Sequence, residues 1–314
     1  RNQNGTASSR AARRVKVQHA LLPIRRQYSS PSCLANIQKT TDNQLMKYSI
    51  PAIGLTFALM GCSAHTNPDI LVKNQLQKKL VQTETFLIPT YSRFSANDQT
   101  VRVYIEGDGS SFNGFGRPSQ NPTPKNAVAL KLALKDTSPN VVYLARPCFY
   151  GALELDPMCQ EATYWTYNRF DRVVLDSLLQ AAQSVLPKED INIEVVGFSG
   201  GAVFASYFAK ELPNVTAVRT IAGNLSPNGV RRYHGFDSLL RALEPMEIAE
   251  DIAHIPQSHY TADIDSVVPR RLQQQYMEIT GPRCVDVQRV DDTTHDKGWE
   301  NIWPSLLAQS PTCK

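Results

Sequence analysis

The chain has 314 residues, 42% of them hydrophobic and 20% charged, and its formal net charge of +4 is unevenly placed. Eight Lys and Arg and a single acid, Asp42, precede Met46, and Lys47 adds one more positive charge, so the part from Cys62 onward carries −4. A mildly acidic remainder argues against a basic nucleic-acid groove, and the 253 residues from Cys62 to Lys314 suffice for one domain with a large core.

Residues 1–45 carry no apolar periodicity that would build a core. Arg- and Ser-rich, they could pass as a transit peptide, but they are read as leader sequence upstream of the gene product proper and set aside from the fold. Met46-Lys47-Tyr48-Ser49, followed by the apolar run from Ile50 to Met60, has the proportions of a secretory signal and is too short to span a bilayer as a helix. Its end, Leu59-Met60-Gly61-Cys62, resembles the lipobox of bacterial lipoproteins. That resemblance implies diacylation of Cys62, a bacterial envelope location and, with Ser63 rather than Asp after the cysteine, the outer membrane. The competing reading is a buried hydrophobic helix with an incidental cysteine. Residues 62–79 are polar and read as a tether, which leaves 80–314 as the folded domain.

Within 80–314, strand-like and helix-like runs alternate. Thr85–Pro89 and Val101–Ile105 read as strands, a helix is expected from Pro124 with Thr123 as its cap, and Val141–Leu144 reads as the next strand. An amphipathic helix is expected from Arg169 to Val185, and a strand from Val215 to Ile221. Val/Ile-rich strands alternating with helices imply a mostly parallel sheet with helices on both faces. Between Asn224 and Pro256 there is room for two short helices at most, 236–243 and 245–252, hence a small cap or none.

The most informative stretch is Gly197-Phe198-Ser199-Gly200-Gly201, which follows the apolar run Ile191–Val196 and opens into the helix-like Ala202–Lys210. Strand, sharp turn and helix are the context in which a G-x-S-x-G serine is held out as a nucleophile, with small flanking residues avoiding clashes at the turn. A structural Gly-rich βα turn is the bland alternative. A nucleophilic serine needs a base and an acid. The run His259–Ile264 leads into carboxylates before a new helix at Arg270–Tyr276; Asp265 is the favoured acid and Asp263 the runner-up, although either could simply cap the helix. His295, in a polar loop after the strand-like Val285–Val290, is the favoured base; His19, His65, His234, His254 and His259 all precede the acid.

Here the chain resembles the α/β-hydrolase superfamily, whose triad follows the order Ser, Asp/Glu, His. Glu106-Gly107-Asp108-Gly109, after the strand at 101–105, stands where many members have His-Gly-x-Gly. The resemblance implies an oxyanion hole from the backbone N–H groups of Gly200 and Asp108, although the histidine is absent. Arg146-Pro147-Cys148, the aromatic stretch Tyr164–Phe170, Ala222–Leu225 and Ile255–Gln257 extend the likeness to a group of bacterial α/β-hydrolase lipoproteins over about residues 85–305.

With Cys33 set aside and Cys62 assigned to lipid, Cys148, Cys159, Cys284 and Cys313 remain. They allow three pairings, of which the sequence-local one, Cys148 with Cys159 and Cys284 with Cys313, is preferred in an exported chain. No Cys-x-x-Cys or closely spaced His points to metal. The expectation is a monomeric, lipid-anchored serine hydrolase of small-molecule esters that needs no cofactor and no metal. Its rivals are an acyltransferase or peptidase on the same fold, or a non-catalytic envelope binding protein.

Overall fold

The computed structural model describes residues 65–96 and 99–314. The expected leader, signal segment and lipidated Cys62 lie outside the described residues. Eight strands form one sheet: β1 (Gln77–Gln82), β2 (Leu87–Phe94), β3 (Val101–Ile105), β4 (Asn140–Leu144), β5 (Ile193–Phe198), β6 (Val215–Ile221), β7 (Gln257–Ile264) and β8 (Val285–Thr294). Their spatial order is β1-β2-β4-β3-β5-β6-β7-β8. β1 and β2 are antiparallel to their neighbours, and every pair from β4 to β8 is parallel.

Burial follows this order. Every residue of β4 and β5 is buried, as expected of central strands covered on both faces, whereas only Val81 is buried in the edge strand β1. The lysines Lys78 and Lys79 on β1 keep that edge from pairing with another chain. On one face pack α4 (Arg172–Val185) and α5 (Gly201–Glu211), through Leu175, Leu178, Phe204 and Phe208. On the other lie α2 (Val128–Lys135) and α8 (Trp299–Leu307), with Trp299 and Trp303 fully covered. Helix α7 (Arg271–Thr280) buries Leu272 and Tyr276. Among the described residues no helix is long and apolar enough to cross a membrane.

Several expectations need correction. Much of the expected tether at 62–79 is part of the fold: a short helix, α1 (Pro68–Val72), and β1 form there, Val72 and Leu76 are buried, and His65 Nδ1 lies 2.7 Å from Thr123 O. The polar look of this stretch reflects an edge strand with one buried face rather than a free linker. The helix expected from Pro124 starts at Val128, because Thr123 Oγ1 accepts the Tyr150 N–H at 2.8 Å instead of capping a helix. The one expected from Arg169 starts at Arg172, after Asp171. The expected helices at 236–243 and 245–252 reduce to a single 3-10 turn, Pro245–Glu247. A helix absent from the expectation, α6 (Pro227–Tyr233), is started by Ser226, whose Oγ accepts the Gly229 N–H, and by Pro227 at its first position.

Disulfides join Cys148 to Cys159 and Cys284 to Cys313. The first staples the loop after β4, which carries the short helix α3 (Ala152–Leu155); the second ties the C-terminal segment to the start of β8.

Candidate active site

Ser199 occupies the turn between β5 and α5 with φ of 49°, a left-handed conformation that a serine adopts only when its surroundings enforce it. They do so here: its N–H donates to Ile221 O and its carbonyl accepts the Asn224 and Ala202 N–H groups. The turn also presses α5 onto the sheet. A Cβ on Gly201 would lie 2.3 Å from Ile105 O, so no side chain fits there.

His295 sits just past β8 in a tight loop, with the Thr294 N–H donating to Lys297 O and the Trp299 indole N–H reaching Thr294 O at 2.9 Å. Its ring packs 5.5 Å from that of Phe198. His295 Nδ1 lies 2.9 Å from Asp265 Oδ2 and 3.1 Å from Oδ1. A carboxylate only accepts, so Nδ1 carries the proton and Nε2 is left to accept from Ser199 Oγ–H at 2.9 Å. Asp265 is held in turn, its Oδ1 accepting the Val267 and Val268 N–H groups at 2.8 Å each. The structure thus brings Ser199, His295 and Asp265 into one hydrogen-bonded line. Asp263 stays out of it: on the exposed end of β7, it faces Arg289 at 3.6 Å. Asp265 lies one residue beyond β7, so strand alternation no longer governs where its side chain points.

The loop after β3 runs beside the elbow, where a Cβ on Gly107 would lie 3.2 Å from Ser199 Cβ. Among the described residues no acceptor takes the N–H of Gly200 or of Asp108. The Asp108 carboxylate is pressed against Gly200, where an added Cβ would meet Oδ1 at 1.9 Å. Two arginines hold that carboxylate, Arg146 Nη1 at 3.2 Å and Arg169 Nε at 2.8 Å. Arg146 also donates to the carbonyl of Arg169, and Arg169 donates to Thr166 O at 2.7 Å. The Arg146 guanidinium lies 4.3 Å from the Phe204 ring centroid and is buried, which lowers its pKa to about 10. The disulfide Cys148–Cys159 closes the segment between these two arginines. The sequence placed Arg146 and Arg169 on either side of that disulfide but offered no sign that both reach Asp108.

Glu106 stands at the position of the missing histidine and is fully buried. Burial raises its pKa, against hydrogen bonds from the N–H groups of Gly107, Ala129 and Leu130 and from Tyr143 Oη. It ties the loop to the start of α2. His259 is also fully buried, between Thr220 Oγ1 and Gln257 Oε1, far from a catalytic arrangement.

A cleft of about 580 Å³ opens over Ser199 and His295, walled by Phe198, Pro124, Ile264 and Val267, with Lys125 and Asn126 on its polar side. Among the described residues no group of His, Cys, Asp or Glu is placed to hold a metal.

The sheet order, the elbow and the helices on both faces define an α/β-hydrolase fold. No protein-family model and no curated protein sequence matches the chain. Solved structures do. The chain is similar to an esterase of Pyrococcus furiosus, at 13% identity and a TM-score of 0.51, with 78% of this chain and 91% of that one covered. It is similar to the acylaminoacyl peptidase of Pyrococcus horikoshii at 10% identity and a TM-score of 0.50, covering 73% of this chain and 40% of that one. To a puromycin hydrolase S511A mutant it is 12% identical with a TM-score of 0.53, over 74% of this chain and 38% of that one. The chain therefore spans less than half of the two longer enzymes, and at these identities the likeness establishes the fold alone.

Proposed function

We propose that this chain is a serine hydrolase of carboxylic esters working through an acyl-enzyme. The observation that carries the reading is the line Asp265, His295, Ser199, with contacts of 2.9 Å at each junction, on a serine whose φ is 49°. Ser199 Oγ attacks the acyl carbon while His295 Nε2 takes its proton, and the imidazolium is stabilised by Asp265. The negative charge on the former carbonyl oxygen is received by the N–H groups of Gly200 and Asp108. Collapse of the tetrahedral intermediate expels the alcohol, which leaves with the proton from His295. Water then repeats the sequence: His295 takes its proton, the hydroxide adds to the acyl carbon, and the acid departs as the proton returns to Ser199.

An active-site-directed fluorophosphonate should label the pure chain, and nitrophenyl esters of graded length should be turned over. Ser199→Ala and His295→Ala should each lower kcat by roughly 10⁴ to 10⁶, and Asp265→Asn somewhat less. Asp263→Asn is the control that should leave turnover near wild type. Failure of labelling would favour the non-catalytic binding protein, and faster reaction with alcohols or amines than with water would favour a transferase.

The same reading places the chain at a bacterial envelope, anchored through Cys62. It is supported by the apolar run before that residue and by disulfides suited to an oxidising compartment. Cys62→Ser should release the chain from the membrane fraction, and the absence of acyl mass on Cys62 in wild-type protein would sink the idea.

A further inference from the structure

Helix α2 begins without a side-chain cap of its own, because its N-cap residue is Ala127. The acceptor for its first amides comes from another part of the chain, the carboxylate of Glu106 just past β3. Oε1 accepts the Ala129 N–H at 3.3 Å and Oε2 the Leu130 N–H at 3.4 Å. The same Oε1 takes the N–H of Gly107 at 3.1 Å, and Oε2 takes the Tyr143 hydroxyl at 3.1 Å, which in turn lies 2.9 Å from Tyr150 Oη. Three amides and a hydroxyl match the four lone-pair sites of a carboxylate, so the ionised side chain fits this buried place with every site met.

Capping α2 does not require the Gly107 amide, and that contact is the one that bears on Ser199. Gly107 is where the loop after β3 comes closest to the elbow: a Cβ there would lie 3.0 Å from the Phe198 ring and 3.2 Å from Ser199 Cβ. Its N–H is turned back to Glu106. Further along, Ser111 Oγ–H donates to Asp108 O at 2.8 Å and the Ser110 N–H to Pro122 O at 2.8 Å. The Asp108 N–H therefore lies between two anchored points of the backbone, beside the serine and with no protein acceptor among the described residues. Both the anchor and the cap come from one side chain, so the loop is also fixed relative to Pro124, Lys125 and Asn126, which wall the cleft ahead of α2.

We infer that Glu106 is a positioning residue for the acyl chemistry: by holding the Gly107 amide it aims the Asp108 N–H at the oxyanion that forms beside Ser199. Glu106 acts through the loop and touches no reacting atom. The role rests on the serine-hydrolase reading. Donors fixed in advance where charge develops stabilise the transition state more than the bound ester, so the effect belongs in kcat and not in KM.

The test compares, in the full chain, a nitrophenyl ester with its thionoester, in which sulfur replaces the carbonyl oxygen. Sulfur is a weak acceptor, so the ratio of the two kcat values reports on the oxyanion donors alone. Glu106→Leu, which removes both acceptor oxygens, should lower kcat on the oxygen ester by about tenfold or more at nearly constant KM, and on the thionoester by less than about threefold. Glu106→Gln should recover most of the ratio, because its oxygen can still take the Gly107 N–H while its NH₂ faces Tyr143 Oη, which can accept. Glu194→Gln, which disturbs a buried carboxylate held by Arg102 and Arg219 away from the loop, should leave the ratio at the wild-type value. If Glu106→Leu does not fold, Glu106→Asp, whose carboxylate falls one methylene short, takes its place with the same expectation. An equal loss on both esters, an unmoved ratio or a change confined to KM would reduce Glu106 to a helix cap and overturn the proposal. If wild type cleaves neither ester and resists the fluorophosphonate, the hydrolase reading fails and this role falls with it; an active wild type with an unmoved ratio in the variants refutes the role alone.

Discussion

Two arginine pairs, each with one buried member, Arg219 and Arg146, lie at opposite ends of the sheet and are balanced differently. At the amino ends of the strands, Glu194 takes both Arg102, at 2.8 Å, and Arg219, and Arg102 also reaches Asp136 at 2.8 Å: two cations against two carboxylates. Burial alone would raise the Asp136 carboxyl, but Arg102 and Ser138 outweigh it and hold its pKa below the usual range. At the carboxyl ends, Arg146 and Arg169 share the single carboxylate of Asp108, and the buried Nε of Arg146 has no partner. A balanced cluster is a structural device whose removal is felt in stability. An excess of positive charge beside two unengaged amides costs stability and suits a site where negative charge develops during reaction.

The largest expected effect lies in the balanced cluster. Glu194→Gln leaves Arg219, 1% exposed, without a carboxylate. It should cost about 3 to 5 kcal/mol in urea unfolding, with kcat of the folded fraction unchanged. A fall in kcat with intact stability would mean that the two ends of the sheet are not separate in role.

The disulfides sharpen the same contrast. With sequence separations of 11 and 29 residues, Cys159→Ser and Cys313→Ser should each cost about 3 to 4 kcal/mol, the longer loop somewhat more. Only Cys159→Ser should also lower kcat at temperatures where both variants remain folded, because only that bridge lies between Arg146 and Arg169.

Arg169→Gln should do the reverse of Glu194→Gln. It leaves Asp108 and Arg146 as a one-to-one pair, so unfolding should change little, while kcat falls about tenfold to a hundredfold at nearly constant KM. A change confined to KM would show that Arg169 contacts substrate instead of holding the loop.

How far these features were legible in the sequence depends on their range along the chain. The strands at 101–105 and 215–221 fall where their Val- and Ile-rich runs were read. The elbow is a local pattern too, and the order of Ser199, Asp265 and His295 needed only the resemblance. Choosing between Asp265 and Asp263 needed the end of β7, which no periodicity marks to a single residue. β1 went unseen because an edge strand with only Val81 buried looks like a linker. The partners of Asp108 lie 38 and 61 residues away, beyond α2 and β4 in the chain, and such pairings leave no local trace.

His259 marks a third case, a buried polar group with no carboxylate in contact. Its Nε2 lies 3.2 Å from Gln257 Oε1, which also accepts the Tyr276 hydroxyl, so Nε2 carries the proton; Nδ1 accepts from Thr220 Oγ1 at 2.8 Å. Both nitrogens are occupied in the neutral ring. Burial lowers its pKa to about 3, only weakly opposed by Asp286. The unfolded chain therefore binds a proton that the folded chain refuses, and the His259 contribution is full above about pH 6.5 and lost as the pH falls toward about 3. Between pH 7 and pH 5 the loss should reach about 2 kcal/mol at most. His259→Gln should be less stable than wild type at pH 7 and should lose less stability on acidification, measured as the change in urea midpoint between the two pH values. Parallel midpoint shifts in both proteins would mean that a group other than His259 carries the acid sensitivity; Asp136, its pKa lowered by Arg102 and Ser138, stays ionised throughout this window and is not that group.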